Sequence, residues 1–174
     1  MNLIRLTNPY LLLAIGITFA LKVKAIFSIP FHEDELDYIR TAFLIKEGYL
    51  PFRDYIHISF PLFSLILTPF VGFFQNPVHC IFFIKIVLLL LSYGSLIFFY
   101  KILIHWFSSN TAFLAIAIFN FSYIFYYSTL LICPSTLLFP FLIFYLWLTL
   151  KNPSLYLNPI LLSIVISGSI LLDQ

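Results

Sequence analysis

Residues 33–54 read EDELDYIRTAFLIKEGYLPFRD, and they hold six of the seven acidic residues in the 174-residue chain. Three of the nine basic residues lie in the same stretch. The sequence on either side is almost entirely apolar. This charged loop between apolar runs decides how the chain is organised, because few charged side chains lie elsewhere that could take part in catalysis or binding.

The composition indicates a membrane protein. Hydrophobic residues make up 62% of the chain and charged residues 9%, with a mean hydropathy of +1.05, whereas soluble domains carry about 25% charged residues. The expected partner is therefore the lipid bilayer. The net charge of +2, with no basic patch, argues against a nucleic acid. The two cysteines, Cys80 and Cys133, lack metal-ligand spacing.

Several apolar runs are long enough to cross a hydrocarbon core of about 30 Å. They predict an all-α integral membrane protein with about five transmembrane helices. We expect the first to be an uncleaved span rather than a signal peptide, with Lys22 and Lys24 reaching the interface. The predicted spans are residues 10–29, 80–104, 111–128, 134–150 and 155–172.

A charged amphipathic helix is predicted over residues 33–47. Apolar side chains recur there at helical spacing, the acidic residues at its start favour the positive end of the helix dipole, and Gly48 is a suitable terminator. Asp34, Asp37 and Tyr38 would share one face of this helix. A solvated interfacial helix without chemistry is the alternative interpretation.

A second interfacial helix is predicted in the same loop, which covers residues 30–79. Residues 62–74 form an apolar run interrupted by Pro69. Runs of this length are more typical of interfacial or re-entrant segments than of spans. The loop therefore carries two helices that we expect to lie along the membrane.

The orientation depends on whether residues 62–74 cross the membrane. If they do not and the N-terminus is inside, then Arg5, Lys101 and Lys151 are cytoplasmic and the acidic loop is outside. If they do and the N-terminus is outside, more cations lie inside, which the positive-inside rule favours. Those cations are Lys22, Lys24, Arg40, Lys46, Arg53, Lys101 and Lys151.

The loop carries an ordered set of motif residues. This order resembles the first external loop of polytopic glycosyltransferases of the GT-C type, most closely the protein-mannosyltransferase-like (family 39-like) group. That group includes bacterial lipopolysaccharide-core and lipid A sugar transferases. The resemblance covers roughly residues 10–150, and the residues that carry it are Asp34-Glu35, Tyr38, Ala42, Gly48, Pro51-Phe52-Arg53-Asp54-Tyr55 and Pro61-Leu62.

The resemblance implies transfer of a sugar from a polyprenyl-phosphate carrier to an extracytoplasmic acceptor such as lipopolysaccharide, lipid or protein. It places the acidic loop outside, against the Lys/Arg count, in a bacterial inner (plasma) membrane. Members of the group are longer, so we expect residues 1–174 to be the N-terminal part of the fold. The resemblance does not imply that this part is active alone.

The resemblance also implies roles for individual residues. Asp34 would be the general base that accepts the proton of the acceptor hydroxyl, or would help to hold that hydroxyl. Glu35 would be a second catalytic carboxylate or would hold a divalent cation together with Asp34. The residues expected to bind the carrier phosphate or the acceptor are Arg40, Arg53, Asp54, His57 and Lys85.

Two other functions compete with this interpretation. The first is a non-enzymatic multispan protein, such as a small transporter subunit or a scaffold, in which the acidic loop is a solvated connection. Transport paths usually need ionisable groups at mid-bilayer, and in the sequence only Lys85 approaches that position. The second is a polymerase of surface polysaccharide, which would share the carrier but not the loop motif.

Overall fold

The computed structural model describes residues 9–55, 61–74 and 76–151, and these residues form helices and no strand. The all-α prediction is confirmed for this part of the chain. The predicted span 155–172 and the predicted site residue His57 lie outside it. The helices are α1 (Pro9–Ser28), α2 (Glu33–Lys46), α3 (Leu62–Val71), α4 (Pro77–Leu103), α5 (Ser109–Phe121), α6 (Tyr123–Ser128) and α7 (Pro134–Lys151).

Helices α1 and α4 run antiparallel. The ring centroids of Phe27 and Phe82 are 4.9 Å apart, and those of Phe19 and Tyr93 are 5.0 Å apart. The end of α1 therefore meets the start of α4, so the chain leaves α1 and enters α4 at the same end of the bundle. Helix α3, at ten residues and 1.5 Å per residue, is about 15 Å long and too short to cross.

Helix α7 runs parallel to α4. Leu137, early in α7, borders the same cavity as Ile84, whereas Phe144 and Trp147 have ring centroids 5.3 and 5.0 Å from that of Phe98, late in α4. Between them, α5 and α6 return the chain to the end of the bundle where α2 lies. The segment before α7 consequently contacts the charged loop.

Helices α2 and α3 pack against each other at this end of the bundle. The axis of α2 is bent by 74° from that of α1, so α2 lies across the bundle. At its far end, Gly48 adopts φ 93° while its N–H and that of Tyr49 donate to the carbonyls of Ile45 and Leu44. This Schellman arrangement confirms the terminator predicted at Gly48.

Helix α4 begins three residues before the predicted span. Asn76 accepts a hydrogen bond from the Val78 N–H at 2.9 Å, and Pro77 occupies the first helical position. Asn as the cap and Pro at the first position are a favourable start for a helix. The Asn76-Pro77 pair therefore ends one connection and starts α4.

Residues 111–128, predicted as one span, are divided between two helices. The backbone of Ser122 is extended (φ −60°, ψ 141°) and separates α5 from α6. The Ser122 side chain accepts a hydrogen bond from the Phe125 N–H, which caps the second helix. A broken helix results where the apolar pattern is continuous.

Two helices of the described part, Pro77–Leu103 and Pro134–Lys151, are long and apolar enough to cross a membrane, and the bent α1–α2 pair would make a third. The prediction of about five spans is not confirmed, because α5 has only 13 residues and the last predicted span is not described. Large apolar side chains on the outer faces of α4, α5 and α7 are exposed, as expected for contact with lipid.

Candidate functional site

Glu35 lies at a buried junction that joins three parts of the chain. Its Oε2 is 2.9 Å from the Nζ of Lys85, and each side chain is 1% exposed. Oε2 also accepts a hydrogen bond from the His32 N–H at 3.0 Å, and Oε1 accepts one from the Ile132 N–H at 2.7 Å. Both carboxylate oxygens are therefore engaged, by α4, by the start of α2 and by the segment before α7.

The junction gives Glu35 and Lys85 a positioning function. Lys85 Nζ also lies 5.4 Å from the ring centroid of Phe31, so the ammonium contacts a carboxylate and an aromatic face. The predicted roles of Glu35 as a catalyst or cation ligand, and of Lys85 as a phosphate ligand, would require this junction to open. In this structure it holds α2 against the bundle.

Asp34 is the accessible member of the acidic pair. Its side chain is 76% exposed, and its Oδ2 is 3.3 Å from the Nδ1 of His32. The same nitrogen accepts a hydrogen bond from the Asp34 N–H at 3.4 Å. Because Nδ1 cannot accept and donate at once, His32 caps α2 when Nδ1 carries no proton and donates to the Asp34 carboxylate when Nδ1 carries one.

His32 is a site residue that the sequence interpretation missed. It occupies the cap position of α2, where Ser, Thr, Asp or Asn is more usual. That unusual position, two residues before the predicted base, was the signal available in the sequence. An exposed imidazole beside an exposed carboxylate provides two groups that can exchange a proton.

The rest of α2 provides a second exposed acid and a cation. Asp37 and Arg40 are exposed. Tyr38 is half-buried, and its ring centroid is 5.0 Å from that of Phe63. Asp34 and Asp37 therefore lie on the open side of the helix, and Tyr38 borders the contact with α3.

Asp54 and Arg53 form a closed turn. The Arg53 guanidinium donates two hydrogen bonds to the Asp54 carboxylate, at 2.9 and 2.8 Å, and the Leu50 N–H donates a third at 2.7 Å. The bond from Arg53 holds the pKa of Asp54 below its usual range. This stabilisation is present at neutral pH and is lost as the pH falls through that lowered pKa, so Asp54 is better suited to order the turn than to accept a proton.

Phe52, in the same turn, is held in an unusual conformation. Its φ is 65°, a left-handed value that costs a residue other than glycine about 1–2 kcal/mol. Its side chain is 62% exposed. A strained backbone that presents an aromatic ring is typical of a functional position, and Tyr49 is a second exposed ring nearby.

Lys22 is fully buried inside the bundle, so the prediction that it reaches the interface is wrong. Its Nζ lies 4.2, 5.3 and 5.5 Å from the ring centroids of Phe125, Tyr93 and Tyr126. Its hydrogen-bond acceptor is the Asn120 Oδ1 at 3.4 Å. Among the described residues no carboxylate pairs with this ammonium.

The position of Lys22 explains how a lone charge is tolerated there. Asn120 is the penultimate residue of α5, so the ammonium lies at the negative end of that helix dipole, next to the break at Ser122. Cation–π contacts with desolvated rings contribute about 2 kcal/mol. Asn120 is fixed in turn by the Thr18 hydroxyl, which also accepts from Tyr93.

We expect Lys22→Met to leave the free energy of unfolding unchanged or to raise it by about 1 kcal/mol, because replacing buried charge by apolar volume is often neutral or stabilising. The measurement is unfolding by sodium dodecyl sulfate in mixed micelles, followed by helicity. Lys24→Met, an exposed lysine on the same helix, is the control. A decrease of more than 2 kcal/mol in the free energy of unfolding would show that the contacts of the Lys22 ammonium stabilise the fold.

The described residues contain no group of three or more His, Cys, Asp or Glu side chains that could hold a metal ion. The divalent cation suggested by the sequence stays a prediction. A scan against protein-family models, a search of curated proteins and a search of solved structures found no match. The function of the chain must therefore be inferred from the residues of the loop and their geometry.

Proposed function

We propose that the chain is a membrane glycosyltransferase of the GT-C type, or the N-terminal part of one. It transfers a sugar from a polyprenyl-phosphate carrier to an extracytoplasmic acceptor such as lipopolysaccharide, lipid or protein. The observation that carries the proposal is the exposed carboxylate of Asp34 on a helix held across the end of an apolar bundle. Such a carboxylate would be accessible both to a lipid-linked donor and to a polar acceptor.

The chemistry proposed for this site is a direct displacement. Asp34 accepts the proton of the acceptor hydroxyl while that oxygen attacks the anomeric carbon. The bond from that carbon to the carrier phosphate breaks, and the phosphate leaves with the electron pair. His32, 3.3 Å from Asp34, would share the proton, and the exposed ring of Phe52 would contact the apolar face of the sugar.

Exposed cations near Asp34 are suited to the carrier phosphate. Arg40 lies on the same helix and is exposed, and a guanidinium favours bidentate contact with phosphate. Arg53 is engaged by Asp54 and would have to exchange that partner to bind the carrier. Arg40 is therefore the stronger candidate.

We further propose five spans in a bacterial plasma membrane, formed by α1, α4, the broken α5–α6 pair, α7 and residues 155–172. Residues 29–76 would lie on the external face. The antiparallel α1 and α4, the short α3 and the return of the chain to the α2 end before α7 support this topology. Lys101 and Lys151 at the opposite end would be cytoplasmic.

The test is an assay of the full chain with a radiolabelled polyprenyl-phosphate sugar. Transfer to membrane acceptors is measured alongside retention of the labelled donor by the purified chain. We expect the purified chain to retain the donor, and membranes that contain the chain to transfer sugar that membranes without it do not. Failure to retain the donor and to transfer its sugar would contradict the proposal.

A second candidate function is a non-enzymatic transport subunit, and the buried Lys22 is the observation that favours it. An ionisable side chain inside a bundle is what an ion path would use. Under this alternative, Lys22→Met would abolish a flux measured in liposomes, and Asp34→Asn would leave that flux unchanged. Under the enzyme proposal, Asp34→Asn would abolish sugar transfer and Lys22→Met would leave it unchanged.

A further inference from the structure

We propose that the end of the bundle opposite α2 binds the headgroup of an anionic glycerophospholipid. The site is a cluster of two lysines and two aromatic residues, which we refer to as the Trp147 cluster: Phe98, Lys101, Trp147 and Lys151. The Nζ atoms of Lys101 and Lys151 each lie 5.4 Å from the ring centroid of Trp147. Lys101 is also 5.3 Å from the ring centroid of Phe98. Two ammonium groups thus converge on one indole.

The parallel course of α4 and α7 creates this cluster. Lys101 lies in the last turn of α4 and Lys151 in the last turn of α7, so both helices end at the same level. Lys101 follows Lys85 by 16 positions, about 24 Å along the helix. The Trp147 cluster and the Glu35 junction therefore lie at opposite ends of the apolar part of the bundle.

The cluster lacks negative charge of its own. Every acidic residue in the described ranges 9–55, 61–74 and 76–151 lies between positions 33 and 54, at the α2 end. The carbonyl ends of α4 and α7 favour the lysines but supply only partial charges. A phosphodiester is the complementary ligand, because it brings a full negative charge that the described residues at this end do not supply.

Adjacent apolar surface indicates a lipid rather than a soluble anion. Ile104, Trp106 and Phe107, in the turn after α4, are exposed, and Trp106 is 60% exposed. Tryptophan is enriched at the level of lipid headgroups. These side chains would enter the interface beside the lysines.

A groove continues from the cluster toward the middle of the bundle. It has a volume of about 470 Å³ between α4 and α7, and its apolar lining includes Gly94, Phe98, Pro140 and Phe144. Phe98 belongs to both the groove and the cluster. A single diacyl lipid could therefore place its headgroup on the two lysines and one acyl chain in the groove. This inference depends on membrane embedding and not on the proposed sugar transfer.

The chain provides its own probe for this site. Its two tryptophans are Trp106 and Trp147, and both lie at this end of the bundle. We would reconstitute the full chain into bilayers and measure quenching of tryptophan fluorescence by phosphatidylglycerol or phosphatidylcholine with brominated acyl chains. We expect about a thirty-fold preference for phosphatidylglycerol, because each of the two lysines contributes about 1 kcal/mol at an anionic surface.

Matched variants test the assignment to the lysines. K101Q/K151Q should remove the preference for phosphatidylglycerol, and K101R/K151R should retain it. Trp106→Phe should also retain it, with Trp147 as the source of the fluorescence. K24Q/K46Q, which removes two exposed lysines at the α2 end, should have no effect. Circular dichroism checks that each variant keeps its helicity.

Three results would overturn the proposal. The first is equal quenching by the two lipids in the unaltered chain. The second is a preference that survives in K101Q/K151Q, and the third is one that is lost in K24Q/K46Q. If a protein partner were the true occupant, quenching would show no headgroup preference.

Discussion

Lys85→Met is expected to destabilise the chain by about 3–5 kcal/mol, the usual cost of removing one partner from a buried ion pair. The variant leaves the Glu35 carboxylate buried with two backbone N–H donors and no cation. Methionine fills a similar volume, so loss of packing contributes little. The free energy of unfolding in mixed micelles of increasing sodium dodecyl sulfate content is the measurement.

A double-mutant cycle separates the ion pair from other effects. Glu35→Gln alone leaves Lys85 as an unpaired buried ammonium, whereas Glu35→Gln combined with Lys85→Met removes both charges. We expect the double variant to be more stable than either single variant. Lys46→Met, an exposed position on α2, should change stability by less than about 0.5 kcal/mol. A loss below 1 kcal/mol for Lys85→Met would show that the junction does not hold α2.

Asp34→Asn is expected to reduce sugar transfer by about 10²–10⁴-fold, the usual contribution of a general base. The amide keeps the size of the side chain but cannot accept the hydroxyl proton. Because Asp34 is 76% exposed, stability and donor retention should be unchanged. The rate of product formation in membranes that contain the variant chain is the measurement.

The neighbouring acid provides the control for Asp34. Asp37 lies one turn further along α2 and is also exposed, so Asp37→Asn makes the same chemical change without removing the proposed base. We expect it to reduce transfer by less than ten-fold. Retained activity in Asp34→Asn, or an equal loss in both variants, would remove Asp34 from the catalytic role.

The helices with local signals were predictable from the sequence. The acidic start of α2 and the glycine at its end specify that helix almost residue for residue. Helices α1 and α7 follow from predominantly apolar runs, although Lys22 and Lys24 lie in α1 and Pro140 lies in α7. These signals act within a few residues of one another. The sequence therefore predicted the helix that carries Asp34 on its exposed side.

The buried contacts were not predictable, because they join distant positions. Glu35 contacts Lys85 and the backbone of Ile132 only after the bundle has formed. In the sequence Asp34 and Glu35 therefore appear equivalent, although one is exposed and the other is buried. The position of Lys22 near the end of α1 predicts that it reaches the interface. It is buried instead, because α5 ends beside it and Asn120 accepts its hydrogen bond. The break at Ser122 depends on one hydroxyl cap within an apolar run, with no proline or glycine to mark it.

The buried pairing of Glu35 with Lys85 also affects how the chain is made. Glu35 precedes Lys85 by 50 positions, and the ribosome adds roughly 5–20 residues per second, so the carboxylate emerges seconds before the ammonium. A lysine that enters a bilayer alone costs about 3 kcal/mol during insertion. Because Glu35 is synthesised first, its carboxylate is available to pair with Lys85 when α4 enters the membrane. In the reverse order the unpaired ammonium of Lys85 would be exposed to lipid.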